Sequence, residues 1–199
     1  MTESNKNKKE DLRVRRTHKL LSQALLSLLL EKPFEEIYVT DICERAMVHR
    51  TTFYKHFEDK HHLLNFCVED LIRNFEGEEY RPGAQETMKD YYMGLIRKSL
   101  TYLSENKELF LTGILRAGNN SALPMLHRSV DRLIESKLRA NEGLGFYHTI
   151  PIPIISQFYS GALISASIWW LENGTPISID EMVHDISLLI NETSLLVKK

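Results

Sequence analysis

Residues Val39 to Leu64 read VTDICERAMVHRTTFYKHFEDKHHLL, and their pattern is the most informative in the chain. It predicts two short helices joined by a tight turn near Met47-Val48-His49, followed by the start of a further helix. Ile42 and Ala46 lie one helical turn apart, so they share an inward face. Thr40 is the expected N-cap of the first of these helices, since Thr caps well and acidic residues follow it in the first turn.

The second helix of this stretch is predicted from Arg50 to about Phe57, and its two sides differ in chemistry. Phe53 and Phe57 are four residues apart and should pack inward together. The outward positions carry Arg, Thr, Tyr, Lys and His, whose groups bind phosphates and contact base edges. This division matches the recognition helix of a helix-turn-helix, which makes double-stranded DNA the expected partner.

The same residues resemble the DNA-binding domain of the TetR family of transcriptional regulators. The family pattern is an Ile-Ala pair, an Ala-Gly-Val-Ser turn, a Thr-(Leu/Phe)-Tyr-x-(His/Tyr)-Phe helix, a Lys three residues on, and a Leu-Leu pair. The matching residues here are Ile42-Cys43, Ala46-Met47-Val48-His49, Thr52-Phe53-Tyr54-Lys55-His56-Phe57, Lys60 and Leu63-Leu64.

Two residues of the turn depart from the family pattern. Met47 stands where the turn usually has Gly, and a left-handed backbone there would cost about 1 kcal/mol or more. His49 stands where Ser usually caps the recognition helix, and His is a poor cap. These departures leave open an alternative function, in which the same fold serves a co-regulator or adaptor that contacts another protein and binds DNA weakly or not at all.

Helical periodicity without competing β-alternation predicts an all-α chain of about nine helices. The resemblance implies an N-terminal three-helix helix-turn-helix domain followed by a C-terminal helical domain for ligand binding and dimerisation. We expect a disordered basic arm over 1–10, the DNA-binding domain over 11–72 and the regulatory and dimerisation domain over 73–199. Helices are expected over about 13–31, 39–46, 50–57, 59–77, 85–105, 109–115, 121–140, 151–172 and from 178 onward, with a hinge-like loop over 77–83. Leucines at helical spacing between residues 20 and 29 predict an inward stripe on the first helix, and Leu63, Leu64, Cys67 and Val68 predict the register of the fourth. Ser121 can cap the helix that follows it, and Ser178 and Glu181 form a capping box before the last helix.

Composition and motifs exclude several classes of protein. Two cysteines without a CxxC spacing suggest neither a disulfide framework nor a zinc site. His61 and His62 are adjacent, so on a helix they point about 100° apart and are poorly arranged for a metal. There is no Gly-rich phosphate loop, HExxH or nucleophile elbow, so we expect no enzyme and no cofactor.

Charge and hydropathy give the expected location. The net charge is −2, yet residues 1–62 hold 12 Lys and Arg against 10 Asp and Glu, so the front third carries the positive balance. The N-terminus has no apolar signal core, and the longest strongly apolar run, Ala24 to Leu30, is too short to span a bilayer. We therefore expect a cytoplasmic protein without a membrane partner.

The segment 158–171, FYSGALISASIWWL, is apolar on nearly every face. Such a helix must be buried all round, and in a chain of this size burial against a second copy is the expected solution. The alternative is a core helix of a monomer. The pattern from Tyr159 to Gly174 also resembles one TetR subgroup, in which the last two helices form a four-helix dimer interface. The residues expected in this interface are Gly161, Ala162, Ser165, Ile168, Trp169, Val183, Ile186 and Ile190.

A two-fold dimer would present two recognition helices to successive major grooves, roughly 34 Å apart, so the operator should be a near-palindrome. We expect base-edge or near-base contacts from Arg50, Thr51, Thr52 and His56. Phosphate contacts are expected from Thr40, Tyr54, Lys55 and Lys60. Replacing Lys60 by Ala should then weaken binding to all sequences and flatten the salt dependence by about one unit of slope.

The resemblance further implies a repressor whose operator affinity is changed by an unknown small-molecule effector. Aromatic residues and a histidine of the C-terminal half are candidates for the effector site, although such residues more often belong to the hydrophobic core. The candidates are Tyr92, Tyr102, Phe110, His127, Phe158 and Trp169.

Overall fold

The computed structural model describes residues 3–76, 87–114, 122–190 and 197–198. Within these ranges the helices are α1 (Glu3–Glu31), α2 (Val39–Ala46), α3 (Arg50–His56), α4 (Lys60–Glu76), α5 (Met88–Glu105), α6 (Ala122–Glu142), α7 (Ile152–Glu172) and α8 (Ile179–Leu189). A 3-10 turn covers Phe34–Glu36, and a π-helical segment covers Leu109–Ile114. The strands β1 (Phe146–Tyr147) and β2 (Val197–Lys198) form one small antiparallel pair. The predicted all-α class is confirmed.

The chain divides into two compact units. The first comprises Met1–Glu69 and Glu108–Leu123, and the second comprises Asp70–Lys107 and Pro124–Lys199. The first unit therefore takes in the π-helical segment as well as the helix-turn-helix. The predicted domain boundary between residues 72 and 73 stays a prediction.

The core of the first unit is built on the predicted leucine stripe of α1. Leu21, Leu25 and Leu29 are buried there, as is Phe34 in the 3-10 turn. Gly113 of the π-helical segment lies so close to α1 that an added Cβ would approach the Cβ of Leu29 to 3.1 Å. The first turns of α4 add further buried side chains, in agreement with the predicted register. These are Leu63, Leu64, Cys67 and Val68.

The second unit contains α5 to α8 and two capping boxes. Thr87 precedes α5 and accepts a hydrogen bond from the Asp90 amide, while Asp90 accepts one from the Thr87 amide. Ser178 and Glu181 make the same reciprocal pair at the start of α8, as the sequence predicted. Such a box satisfies two amides that the first turn of a helix otherwise leaves without partners.

Packing in the second unit is mostly apolar. Leu138 of α6 packs with Ile152 and Ile155 of α7 in one buried cluster. Trp170 is buried too, and its indole Nε1 donates to the Ile177 carbonyl at 2.8 Å. A buried indole needs such a partner because an unsatisfied N–H in an apolar interior is costly.

Two predicted helix starts in the first unit are wrong. The predicted N-cap Thr40 lies inside α2, whose N-cap is Tyr38, and the Asp41 carboxylate accepts from the Tyr38 amide at 3.0 Å. The first helix was expected from about Arg13, but α1 begins at Glu3 and so continues through the segment expected to be a disordered arm.

Some predictions for the connections fall on parts of the chain that the structure does not cover. The hinge over 77–83, the start of a helix at residue 85 and the cap at residue 121 lie outside the described residues. The helix expected around Leu109 and Phe110 is present as the π-helical segment.

Candidate nucleic-acid interface

Ionic contacts fix α2 against α1 and thereby set the position of the turn. Arg45 forms a two-pronged pair with Glu31, its nitrogens donating to the two carboxylate oxygens at 2.8 and 2.7 Å. Lys32 Nζ donates to Asp41 Oδ2 at 2.6 Å, and this hydrogen bond lowers the pKa of the Asp41 carboxyl. Both ion pairs are partly exposed, so they orient α2 more than they add to the free energy of unfolding.

The α2–α3 turn is a Schellman motif with methionine in the left-handed position. The Met47 amide donates to the Glu44 carbonyl at 3.1 Å, and the Val48 amide donates to the Cys43 carbonyl at 2.9 Å. Met47 has φ 53° and ψ 44°, a conformation that Gly usually supplies. For an L-residue this conformation costs roughly 1–2 kcal/mol. The cost expected for a left-handed backbone at Met47 therefore applies.

The start of α3 has no side-chain cap. His49 occupies the N-cap position with φ −65° and ψ 143°, and its ring accepts no hydrogen bond from the first turn. Its carbonyl accepts from the Thr52 and Phe53 amides at 2.8 and 3.1 Å, so the backbone alone begins the helix. The expectation that His49 caps poorly is confirmed.

The inward side of α3 is aromatic, and this fixes which residues face outward. Phe53 and Phe57 are buried, with ring centroids 5.9 Å apart. This packing anchors α3 through one side, as predicted. The exposed side chains of α3 are Arg50, Thr51, Tyr54 and Lys55.

The other predicted DNA contacts are half-buried. Thr52 and His56 lie on the flanks of α3, and Thr40 lies in the first turn of α2. The His56 ring stands edge-on to the His18 ring of α1, with centroids 5.0 Å apart. Sequence spacing alone does not identify His18, because its partners come from a distant helix.

The His18 ring of α1 packs against three aromatic rings from other parts of the first unit. Besides His56, it contacts Phe57 at 5.0 Å and Phe66 at 4.9 Å between centroids. Burial lowers the pKa of His18, and the nearby charges of His56 and His62 lower it further. Neutral imidazole is therefore the form that this site favours.

Lys60 makes contacts within the protein that the sequence did not predict. Its Nζ donates to the carbonyl oxygens of Phe34 at 2.8 Å, Glu35 at 3.1 Å and Ile37 at 2.8 Å. The same nitrogen lies 4.6 Å from the centre of the Phe34 ring, and burial lowers the pKa of the Lys60 ammonium. Because three protons meet three carbonyls, this conformation offers no further proton to a phosphate.

The candidate effector residues are dispersed. Phe110 is buried in the first unit, whereas the other candidates belong to the second unit. Tyr92 accepts from Asn141 Nδ2 at 2.6 Å, and burial raises its pKa to about 12. Tyr102 packs edge-on to Phe75, and His127 is half-buried. Phe158 and Trp169 are 68% and 50% exposed on α7.

The candidate interface residues on α7 divide between inward and outward positions. Gly161 faces α6, since an added Cβ would lie 3.7 Å from His127 Nε2. Ala162, Ser165 and Trp169 are exposed, and Ile168 is half-buried.

The candidates on α8 lie mostly inside the chain. Val183 and Ile186 are buried within the second unit, and Ile190 is half-buried. The strongly exposed apolar residues of α8 are instead Leu188 and Leu189.

In the part of the chain that the structure describes, α7 is also the single helix long and apolar enough to cross a membrane. Only 22% of its apolar window is buried within the chain. Length and composition of one helix are weak evidence for a membrane span, because apolar core and interface helices pass the same test.

A helix-turn-helix whose second helix carries an exposed Arg, Lys, Tyr and Thr face defines a DNA-binding regulator. Comparison with known families identifies the class of regulator. Residues 21–66 match the family described as bacterial regulatory proteins, tetR family, and residues 90–192 match a transcriptional regulator C-terminal region. The chain belongs to the TetR family of transcriptional regulators, so it is a regulator of transcription and not an enzyme.

Individual relatives support the same assignment. An uncharacterized HTH-type transcriptional regulator, YxbF of Bacillus subtilis (strain 168), is 37% identical over 68 residues, or 34% of this chain and 18% of that protein. The HTH-type dhaKLM operon transcriptional activator DhaS of Lactococcus lactis subsp. lactis (strain IL1403) is 32% identical over 93 residues, or 46% of this chain and 45% of that protein. The chain thus spans less than half the length of these curated relatives.

Solved structures share the fold. The crystal structure of a TetR transcriptional regulator from Streptococcus agalactiae 2603V superposes with a TM-score of 0.63. The match covers 92% of this chain and 98% of that chain at 23% identity. At this identity the likeness supports the fold alone.

Proposed function

We propose that the protein is a dimeric repressor that binds a near-palindromic operator through α3. A small molecule bound in the second unit would change its affinity for that operator. The observation that carries the proposal is the two-sided α3 helix. Phe53 and Phe57 anchor it to the core, and Arg50, Thr51 and Lys55 are left exposed together. Regulators of this family bind DNA.

Within α3 we assign roles by position and chemistry. Arg50 and Thr51 stand at the N-terminal end, the end that enters the major groove in helix-turn-helix docking, and we assign them to base edges with Thr52 and His56 beside them. Tyr54 and Lys55 are assigned to phosphates, together with Thr40 in the first turn of α2. For Lys60 the phosphate role competes with its three carbonyl contacts.

The proposal of a dimer rests on α7. Ile154, Phe158 and Trp169 are 59%, 68% and 50% exposed, a large apolar area for one helix in water. A second copy would cover this area, because exposed apolar patches of this kind mark interaction sites. Ala162 and Ser165 lie exposed on the same helix and would allow close approach, with Ile168 beside them.

For α8 we revise the proposed interface to Leu188 and Leu189, which are strongly exposed. Val183 and Ile186 are buried in the chain's own core and have little area to give to a partner. Ile190, which is half-buried, is kept as a marginal member.

An effector would act by binding one arrangement of the dimer more tightly than another. Tyr92, Tyr102 and His127 are the candidates retained for its site, since they are at least partly buried in the second unit. Phe158 and Trp169 are better suited to the dimer interface because they are exposed. We further propose a cytoplasmic location, which is where an operator would be available.

An activator is the second candidate function, and one relative favours it. The Lactococcus lactis protein that matches 46% of this chain is described as an operon activator. A dimer bound to DNA serves either role, and the position of the operator relative to the promoter decides the outcome. A co-regulator that contacts another protein remains the alternative if no duplex is bound.

Two measurements test the proposed function. The full chain is first incubated with a pool of randomised DNA duplexes, and the retained DNA is sequenced. We expect enrichment of a near-palindrome whose half-sites are about one helical turn apart, or a multiple of it. A reporter under the selected sequence is then expected to be silenced by the protein. Increased reporter output would support the activator, and no enrichment at all would contradict DNA binding.

A further inference from the structure

Met47 combines two unfavourable properties at one position. It is one of two non-glycine residues with a positive φ among the described residues, and its side chain is 90% exposed. Gly or Asn would relieve the backbone strain, and a polar residue would remove an apolar side chain from water. A residue costly in both respects is a candidate for a functional contact.

The surroundings of Met47 belong to the DNA-facing end of α3. Its side chain borders a shallow surface depression of about 290 Å³ that is also lined by Thr40, Glu44, His49 and Arg50. Thr40 and Arg50 are already assigned to DNA contacts, so the depression is continuous with the proposed interface. The Schellman hydrogen bonds hold the Met47 backbone in place, so its side chain leaves the turn in a fixed direction.

The charged residues around Met47 indicate which group of DNA could lie against its side chain. The depression is lined by one acidic residue, Glu44, and one basic residue, Arg50, so it has no excess of positive charge that would favour a phosphate beside Met47. An unbranched thioether is an apolar, adaptable side chain. The apolar group that a DNA major groove displays is the C5-methyl of thymine.

We propose that Met47 contacts a thymine methyl group in each operator half-site and contributes to sequence preference beside Arg50. This inference rests on the proposed function, since it requires a duplex bound through α3. It assigns to the turn a contact that the family's usual glycine could not make. Backbone strain and an exposed apolar side chain are then offset by methyl burial on DNA.

The test removes the methyl group and the side chain separately. Thymines of the duplex selected by the full chain are replaced one at a time by deoxyuridine, which lacks only the methyl. Binding is measured by fluorescence anisotropy for the wild-type chain, Met47→Gly and Met47→Leu. Met47→Gly is expected to fold with an unchanged or raised Tm, because glycine accepts the left-handed backbone. Met47→Leu keeps an apolar side chain at the same strained position.

At one thymine per half-site, the wild type is expected to lose about fourfold in affinity without the methyl, the equivalent of roughly 0.8 kcal/mol for one buried methyl-sized group. Met47→Gly should show no methyl dependence there, and Met47→Leu should retain most of it. The inference is overturned if no thymine methyl affects the wild type, or if Met47→Gly shows the same dependence. Failure to enrich any duplex would instead overturn the proposed function.

Discussion

At the scale of single residues, Lys60 makes contacts within the protein that its expected phosphate role does not require. Its ammonium is bound to three carbonyls around the 3-10 turn that links α1 to α2. Those carbonyls would otherwise need water or another donor. Lys60 therefore stabilises the connection that precedes the helix-turn-helix, whatever further contact it makes with DNA.

Replacing Lys60 by Met keeps most of the stem over the Phe34 ring and removes the three donated hydrogen bonds. We expect the free energy of unfolding to fall by about 1–3 kcal/mol, because partly buried carbonyls lose their charged donor. Urea denaturation followed by far-UV circular dichroism measures this. The matched control is Lys55→Met on exposed α3, which should change stability by less than about 0.5 kcal/mol. Equal losses in the two variants would show that the carbonyl contacts contribute nothing.

A salt titration separates the structural role of Lys60 from a phosphate contact. Lys55→Ala should flatten the slope of log Kd against log salt concentration by about one, since one phosphate contact is lost. Lys60→Ala should leave the slope unchanged if its ammonium stays on the carbonyls. A slope flattened by about one in Lys60→Ala would restore the phosphate role expected from the sequence.

The lowered pKa of His18 predicts that the first unit loses folding stability in acid. Its pKa is lowered in the folded state by burial, then by His56 and His62, so the unfolded chain binds more protons as pH falls through about 6.5. Stability is therefore fully present above that pH and is lost as pH falls toward the lowered folded-state pKa. His18→Phe should reduce the loss of stability between neutral and acidic pH, measured by thermal melts at several pH values. An unchanged pH dependence in this variant would rule out His18 as the cause.

At the scale of elements, a feature could be predicted when the residues that determine it lie close together in the sequence. The inward side of α3, the register of α4 and the box at Ser178 follow from spacing within one helix, and they were predicted. The N-cap of α2 was not predicted, because the Asp41 carboxylate that accepts from the Tyr38 amide is held in place by Lys32 of another segment. The carbonyl contacts of Lys60 were missed for the same reason, since they join residues more than twenty positions apart.

The α7 helix gives a prediction about assembly. Phe158→Lys places a charge on its most exposed aromatic side chain, where a dimer interface would have to bury it. We expect the variant to be monomeric at concentrations where the wild type is dimeric, as measured by analytical ultracentrifugation. The control is Tyr147→Lys, which adds the same charge at a 49% exposed aromatic residue outside α7 and should stay dimeric. A dimeric Phe158→Lys variant would move the interface elsewhere.

At the scale of the whole molecule, the class of protein was more predictable than the positions of the candidate effector residues. A helix-turn-helix is encoded in one continuous stretch, so its residues could be assigned from their order. A ligand site collects residues from several helices, and sequence could not tell that Phe110 belongs to the first unit while Tyr92 belongs to the second. The sequence also could not show that Phe158 and Trp169 are exposed, because a helix buried in a core and a helix in an interface have the same apolar pattern.

We propose that the exposed face of α3 recognises duplex DNA by its sequence. The ratio of Kd values for the selected duplex and a scrambled duplex of equal composition, at one salt concentration, is measured for the wild type and Arg50→Ala. We predict a large preference in the wild type and a preference about tenfold or more smaller in Arg50→Ala, as expected for loss of a bidentate guanine contact worth roughly 1–3 kcal/mol. A wild-type ratio near one, or an unchanged ratio in Arg50→Ala, would contradict the claim.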